Sequence, residues 1–279
     1  MKIGAMMFAT DYSIPPDQLA RELEQRGYDS LYVPEHTHIP ASRESPWPGG
    51  ADLPKDYWHT YDPFISLSFA AAATTHLKLG TGICLLPQRD TLVTAKCVAS
   101  LDRLSGGRFV FGLGGGWNKE EMAHHGVNYK TRFARMAEQV AAMKQLWTEE
   151  EAGFAGDHVN FSPSRAHPKP VQTPHPPILL GGETDYTLRR VVDYCDGWLP
   201  RARHGFDAAE NIARLKRVAD DAGRDMATLS VHVFGAPADA ATLASYAEAG
   251  VASALLSLPA APTEKVLSLL DRYQPLLDA

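Results

Sequence analysis

Apolar positions along the 279-residue chain fall into two alternating patterns. Short β-type runs cover residues 2–8, 29–33, 77–83, 108–113, 177–180, 196–199, 229–234 and 252–258. Between them apolar side chains recur every three or four residues, the helical period. Leu19 and Leu23 mark the first helix, with Asp17 read as its cap and Gly27 as its stop. Met136, Val140, Met143 and Trp147 mark a long one, and Leu188, Leu215, Leu243 and Val266 stand in those that follow. Eight strand–helix alternations predict a parallel sheet with crossover helices, and eight units fit a closed (β/α)8 TIM barrel. An open doubly wound sheet stays compatible, because periodicity counts elements without showing closure. Two stretches break the rhythm: residues 34–60, rich in Pro, His and Trp, and residues 148–176, rich in Pro, His and Gly. They read as two long loop insertions on one domain spanning residues 1–279.

Composition narrows the function. With 44% apolar and 22% charged residues the chain matches an average soluble globular protein. Its 27 basic and 33 acidic residues give a net charge of −6, and no basic stripe marks a nucleic-acid footprint. No apolar run approaches the ~20 residues of a membrane span. The opening run meets Asp11 too soon for an export signal. Cys84, Cys97 and Cys195 are odd in number, scattered and without C-x-x-C spacing. A reduced, cytoplasmic chain without disulfides or structural zinc is expected, with Cys97 in a helix core.

In α/β barrels the working residues sit at the C-terminal ends of the strands. Glu35, His36, Thr37 and His38 follow the second strand there. Gly82 and Ile83 close the third, Gly112 to Asn118 follow the fourth, Gly181 to Thr184 the fifth, and Arg201 to His204 the sixth. Gly181, Gly182, Glu183 and Thr184 read equally as a phosphate-binding helix start and as a tight strand-to-helix turn. Gly112 to Gly116 miss the dinucleotide fingerprint, since Trp117 stands where a glycine is needed. The run reads as an amide-lined shelf for a flat or anionic ligand. His36 and His38 have metal-pair spacing, but the last strand ends in Leu256-Ser257-Leu258-Pro259 without a carboxylate, so no metal is expected. His36, next to Glu35, is instead the candidate acid/base.

These residues, in this order, resemble the bacterial luciferase-like superfamily of flavin and deazaflavin oxidoreductases. The marks are Leu31 to His36, Leu79 to Ile83, Thr94 to Gly107, Phe111 to Asn118, Pro168 to Pro170, Pro177 to Thr184 and Asp196 to Trp198. The similarity is greatest to the short subgroup of probable coenzyme F420-dependent oxidoreductases. It implies a barrel binding coenzyme F420, or alternatively FMN, at its C-terminal mouth, with a non-prolyl cis peptide between Gly82 and Ile83. It further implies that Gly114, Gly115 and Gly181 to Thr184 hold the cofactor phosphate, and that Phe8 lines the substrate side. Glu35, His36 and Trp117 would border the ring. A related branch uses glutamate as proton donor where this chain has Trp117, so His36 carries the catalytic expectation.

The expected reaction is hydride transfer between F420 and a small organic substrate. Two alternatives are an FMN-dependent monooxygenase fed by a separate reductase and a barrel that only holds flavin. Arg201, Arg203 and His204 read either as partners of an anionic group or as surface residues. Trp47, Tyr57, Trp58 and His59 in the first insertion, with Phe154, His158 and Phe161 in the second, are expected to shape the pocket. The resemblance also implies a homodimer formed through residues 62–75 and 91–104.

Overall fold

The computed structural model describes residues 1–50, 52–203 and 205–277. In chain order its elements are β1 (Lys2–Met6), α1 (Pro16–Gln25), β2 (Ser30–Val33), α2 (Asp56–His59), α3 (Pro63–Ala73), β3 (Lys78–Thr81), α4 (Thr91–Leu104) and β4 (Phe109–Leu113). There follow α5 (Lys119–His124), α6 (Arg132–Thr148), β5 (Ala152–Ala155), β6 (Asn160–Ser164), β7 (Ile178–Gly181) and α7 (Asp185–Tyr194). The last are β8 (Gly197–Leu199), α8 (Ala208–Asp221), β9 (Ser230–Ala236), α9 (Ala240–Ala249), β10 (Ser253–Ser257) and α10 (Thr263–Tyr273). Eight strands close in the order β1-β10-β9-β8-β7-β4-β3-β2, and every pair is parallel. Closure is made where β1 pairs with both β10 and β2, so the fold is the (β/α)8 barrel. No helix among the described residues is long and apolar enough to cross a membrane.

Strand alternation sorts the side chains into two apolar bodies. The larger one lies between barrel and helices and includes Leu31, Leu79, Phe109 and Ile178 against Leu19, Leu67, Val98 and Met143. The smaller one is the barrel interior: Met6, Tyr32, Val110, Leu179, Leu199 and Leu255, with Ile83 and Phe234 packed on it. The buried Tyr32 ring lies where a Cβ on Gly80 would come within 2.3 Å, so glycine at 80 is what lets the ring fill the barrel.

Two local expectations change. Asp17 does not cap α1; Pro15 and Pro16 start that helix, their fixed φ matching a first turn, and Asp17 pairs with Arg21 at 2.8 Å. The second insertion is not a plain loop. β5 and β6 form an antiparallel hairpin, and Glu138 on α6 accepts hydrogen bonds from the backbone N–H groups of Asp157, His158 and Val159 at 3.2, 2.7 and 2.9 Å. Further along, the buried Asp102 carboxylate accepts from the N–H groups of Val171 and Gln172 at 2.7 and 3.0 Å.

The N-terminal end of the barrel interior is polar. His232 on β9 stands opposite Ser253 in register, and its Nε2 is 3.1 Å from Ser230 Oγ, while Nδ1 has no partner. Burial, helped by the Lys78 charge and opposed by Asp29, lowers its pKa from 6.5 to about 4. The folded state therefore refuses a proton that the unfolded chain accepts. Stability is full above pH 6.5 and falls as the pH drops from there toward 4. At roughly 1.4 kcal/mol per pKa unit, the loss reaches on the order of 3 kcal/mol. Thermal unfolding followed by circular dichroism between pH 7 and 4.5 should show this acid slope, and His232→Gln should flatten it; an unchanged slope would remove His232 as its source.

Candidate functional site

The C-terminal ends of the strands surround a cavity of about 270 Å³. Every strand-end group singled out from sequence reaches its neighbourhood, but the groups do different jobs there.

Glu35, just past β2, is a buried wall residue with both oxygens engaged. Oε2 accepts from Leu85 N–H and Oε1 from Arg89 Nε, each at 2.7 Å. Arg89 also binds Asp62, whose carboxylate caps α3 by accepting from Phe64 and Ile65 N–H at 2.8 and 3.1 Å. Burial works against the Arg89 charge, but Cys84, Glu35 and Asp62 outweigh it and raise its pKa above the ordinary value. Glu35 thus ties the β2 end to the loop after β3 and to the start of α3.

The next residue, His36, is 7% exposed and lines the cavity. Its Nδ1 lies 2.8 Å from Oε2 of Glu121, a residue with no solvent exposure at all. A carboxylate only accepts, so Nδ1 carries the proton and Nε2 is the ring nitrogen left to act. Glu121 Oε1 in turn accepts from Thr37 N–H at 3.2 Å. Sequence reading missed Glu121. Its signal is Asn118-x-x-Glu121: the Asn118 side chain caps α5 by accepting from Glu121 N–H at 3.0 Å. In a capping box the glutamate folds back onto the cap; here it reaches across to His36. His38 points elsewhere, with Nδ1 2.9 Å from Thr37 Oγ1 and Nε2 2.8 Å from His124 Nδ1. Thr37 Oγ1 also meets His125 Nε2 at 2.7 Å, so a chain of polar contacts runs from His36 to exposed histidines.

The peptide bond between Gly82 and Ile83 is cis. A Cβ on Gly114 would fall 2.0 Å from Ile83 Cδ1, and one on Gly115 2.6 Å from the Phe133 ring. These two glycines are therefore required by protein side chains that pack on them. Gly115, Gly116 and Trp117 border the cavity, whereas Gly114 lies beneath Ile83 and is not part of the wall. Gly181 and Gly182 complete this side, and Thr184 caps α7 by accepting from Thr187 N–H at 3.2 Å. The Glu183 side chain is turned to Arg201, with Nε–Oε1 and Nη2–Oε2 both at 2.8 Å. Burial favours a neutral Glu183, but Arg201's hydrogen bonds and charge win and lower its pKa. Arg201 borders the cavity, the Arg203 charge is felt at Glu183, and His204 lies outside the described residues. Phe133 carries two stacked guanidiniums, Arg190 at 3.9 Å and Arg132 at 4.3 Å from the ring centroid. Neither has a carboxylate partner among the described residues, and Arg132 Nε is buried without a hydrogen bond. Sequence reading named neither arginine, because nothing in their spacing places both on one ring.

Of the two insertions only the first enters the wall, through Pro34, Glu35 and His36 at its start and Pro48 and Tyr57 further on. Tyr57 packs at 4.7 Å from Phe8 and 5.2 Å from His36, with Trp47 at 5.8 Å behind it. The expectation that Phe154, His158 and Phe161 shape the pocket is not met, because the β5–β6 hairpin is held on α6, away from the mouth. Trp58 and His59 also stay outside; His59 Nδ1 meets Asp11 at 2.9 Å.

Glu35→Gln should destabilise the fold, since a buried guanidinium then loses one of its two carboxylates. A loss of about 2 kcal/mol is expected, part of the 3–5 kcal/mol seen when a buried pair is broken outright. Urea unfolding measures it, and an unshifted midpoint would refute the clamp.

The luciferase-like monooxygenase family pattern matches residues 17–274. An uncharacterised protein of Mycobacterium tuberculosis (strain ATCC 25618 / H37Rv) is 38% identical over 276 residues, 98% of this chain and 97% of the relative. The F420-dependent hydroxymycolic acid dehydrogenase of the same organism is 28% identical over 225 residues, 80% of this chain and 57% of that protein. Among solved structures, monooxygenase RslO1 from Streptomyces bottropensis superposes with a TM-score of 0.77 at 19% identity, covering 99% of this chain and 98% of that one, a likeness of fold. Sequence order, barrel and family pattern agree: this chain belongs to the luciferase-like monooxygenase family.

Proposed function

We propose that the protein is an oxidoreductase that transfers a hydride between coenzyme F420 and a small organic substrate, with His36 as the acid/base. The observation that carries this reading is the buried His36–Glu121 pair, 2.8 Å long, on the wall of an otherwise mostly apolar cavity. When bound, the deazaflavin supplies the two-electron hydride chemistry; the protein supplies position, dryness and a proton. Glu121 fixes the imidazole so that Nε2 faces the cavity, where it gives a proton to, or takes one from, the substrate heteroatom. Phe8, Ile83, Leu85 and Trp117 line the same cavity and supply its apolar surface.

The residues fit an elongated ligand with an anionic end. Gly181, Gly182 and Phe133 line the cavity, the two glycines lead into the capped start of α7, and Arg132 and Arg190, without carboxylate partners among the described residues, stack on Phe133. The backbone N–H groups after Gly182 and the Arg132 and Arg190 guanidiniums would hold a cofactor phosphate. The choice of F420 over FMN rests on the F420-dependent relative among the homologues. Three free cysteines suit a reducing compartment, and we place the reaction in the cytoplasm.

Absorbance titration with F420, and with FMN as control, tests the reading. F420 should bind, and Arg190→Ala should weaken it without changing thermal stability. Glu121→Gln should leave binding intact and slow turnover about 100-fold, the low end for a lost general acid/base. Binding of FMN alone, with oxygen consumed on its reduction, would replace the reading by the monooxygenase alternative.

The functional unit is a dimer of two copies joined through α3 and α4. Ile65, Phe69 and Val93 on those helices are 61%, 60% and 60% exposed, an apolar face left uncovered by the described residues. Sedimentation should give a dimer, and Phe69→Glu a monomer of unchanged helicity; a monomeric parent protein would contradict this.

A further inference from the structure

We propose that Tyr57 of the first insertion is the second hydrogen-bonding group at the substrate's reacting oxygen, and that the substrate is an uncharged, mostly apolar ketone or secondary alcohol. The inference rests on the hydride-transfer reading above and adds to it a residue and a substrate class.

It follows from accounting for every polar side chain in the wall. Glu35 spends both oxygens on Leu85 and Arg89. Arg201 spends its guanidinium on Glu183 through two 2.8 Å bonds. His36 has given Nδ1 to Glu121 and keeps Nε2. The Trp117 indole can donate but never accept. Tyr57 remains, and its hydroxyl does either. A ketone oxygen only accepts, whereas an alcohol oxygen must also donate; a site serving both needs a partner of that kind.

Position supports the pairing. The Tyr57 ring is 5.2 Å from the His36 ring, and Trp117 completes the cluster at 5.8 Å from His36 and 6.4 Å from Tyr57. The Phe8 ring centroid lies 4.7 Å from that of Tyr57 in a tilted contact, so the tyrosine ring is held by a neighbour in the wall. Burial raises the phenol's pKa, while a hydrogen bond from Trp47 and the Arg201 charge pull the other way. The hydroxyl thus lies close enough to Arg201, itself a wall residue, to sense its charge, and keeps its own proton to donate. An oxygen held between Tyr57 Oη and His36 Nε2 meets the phenol donor and, when the imidazole carries its second proton, a second donor as negative charge gathers on it.

The same accounting defines the substrate. Beyond those groups the wall is Phe8, Ile83, Leu85, Leu199, Phe234, two prolines and glycine backbone, and the cations without a carboxylate among the described residues, Arg132 and Arg190, stand at Phe133, the end assigned to the cofactor's phosphate. An anionic substrate would lose its hydration without a partner, which is costly in a dry cavity. One oxygen on an apolar body loses nothing.

Tyr57→Phe is the test, because phenylalanine keeps the ring contacts and removes only the hydroxyl. Cyclohexanone and 4-oxocyclohexanecarboxylate are titrated into the protein loaded with oxidised F420, which cannot reduce them, and into the cofactor-free chain, following indole fluorescence. Cyclohexanone should bind at least about tenfold more tightly than the carboxylate to the parent protein. Y57F should weaken cyclohexanone three- to tenfold, the worth of one net hydrogen bond of about 1 kcal/mol. F420 affinity and melting temperature should not move. In turnover with cyclohexanol, Y57F should lower kcat more than it raises KM. Equal ketone binding and equal kcat in parent and Y57F would overturn the role of Tyr57, and tighter binding of the carboxylate would overturn the substrate class. Failure of the parent to bind F420 is seen in the cofactor titration alone, so it counts against the hydride reading and not against Tyr57.

Discussion

A buried carboxylate tolerates no unpaired oxygen, and the mouth of this barrel is arranged around one that has none to spare. Glu35 holds the Leu85 N–H and Arg89, and Arg89 passes the connection to Asp62 at the head of α3. Three elements that are distant in sequence therefore meet at the residue immediately before His36. The position of the imidazole follows from it: the backbone at 35 is fixed by the clamp, and the ring at 36 is then oriented by Glu121. One carboxylate positions the histidine and the other orients it, and neither can be neutralised without unbalancing a buried cation or a ring nitrogen.

The floor of the cavity depends on close approach. Gly114 and Gly115 leave room for Ile83 and Phe133, as Gly80 leaves room for Tyr32 deeper in the barrel. The barrel interior is thus closed by side chains up to the level of Ile83 and Phe234 and opens above them. The polar base around His232 sits at the opposite end, so the interior runs from a hydroxyl-lined bottom through an apolar middle to the reactive mouth.

How much of this could be read from the residues alone depended on whether the cause was local. All eight barrel strands were legible, because a strand buried on both faces writes a continuous apolar run and each crossover helix writes a 3.6-residue period. His36 was legible from its place at the end of β2, and the cis bond after Gly82 followed from family resemblance. Glu121 was not, because its contact crosses from α5 to β2, 85 residues back, and no spacing records that. Arg132 and Arg190 meet on Phe133 for the same reason. The β5–β6 hairpin was hidden differently: Gly153 and Pro163 interrupt its short strands, whose sequence carries no clean alternation.

Residues 56–60, the end of the first insertion, are fastened to the few residues that follow β1, whereas Ser45 in its middle bonds Lys119 and Glu120 of α5. Tyr12 bonds Asp56, Asp11 bonds His59, Thr10 bridges Thr60, and the Tyr61 N–H donates to Ala9 O at 2.8 Å. None of these anchors belongs to the Glu35 clamp or to the His36–Glu121 pair. The stretch that carries Tyr57 can consequently change without touching the bonds that hold the proton-moving pair. Barrels built this way can diverge in selectivity one segment at a time, with their chemistry and their folding left as they were.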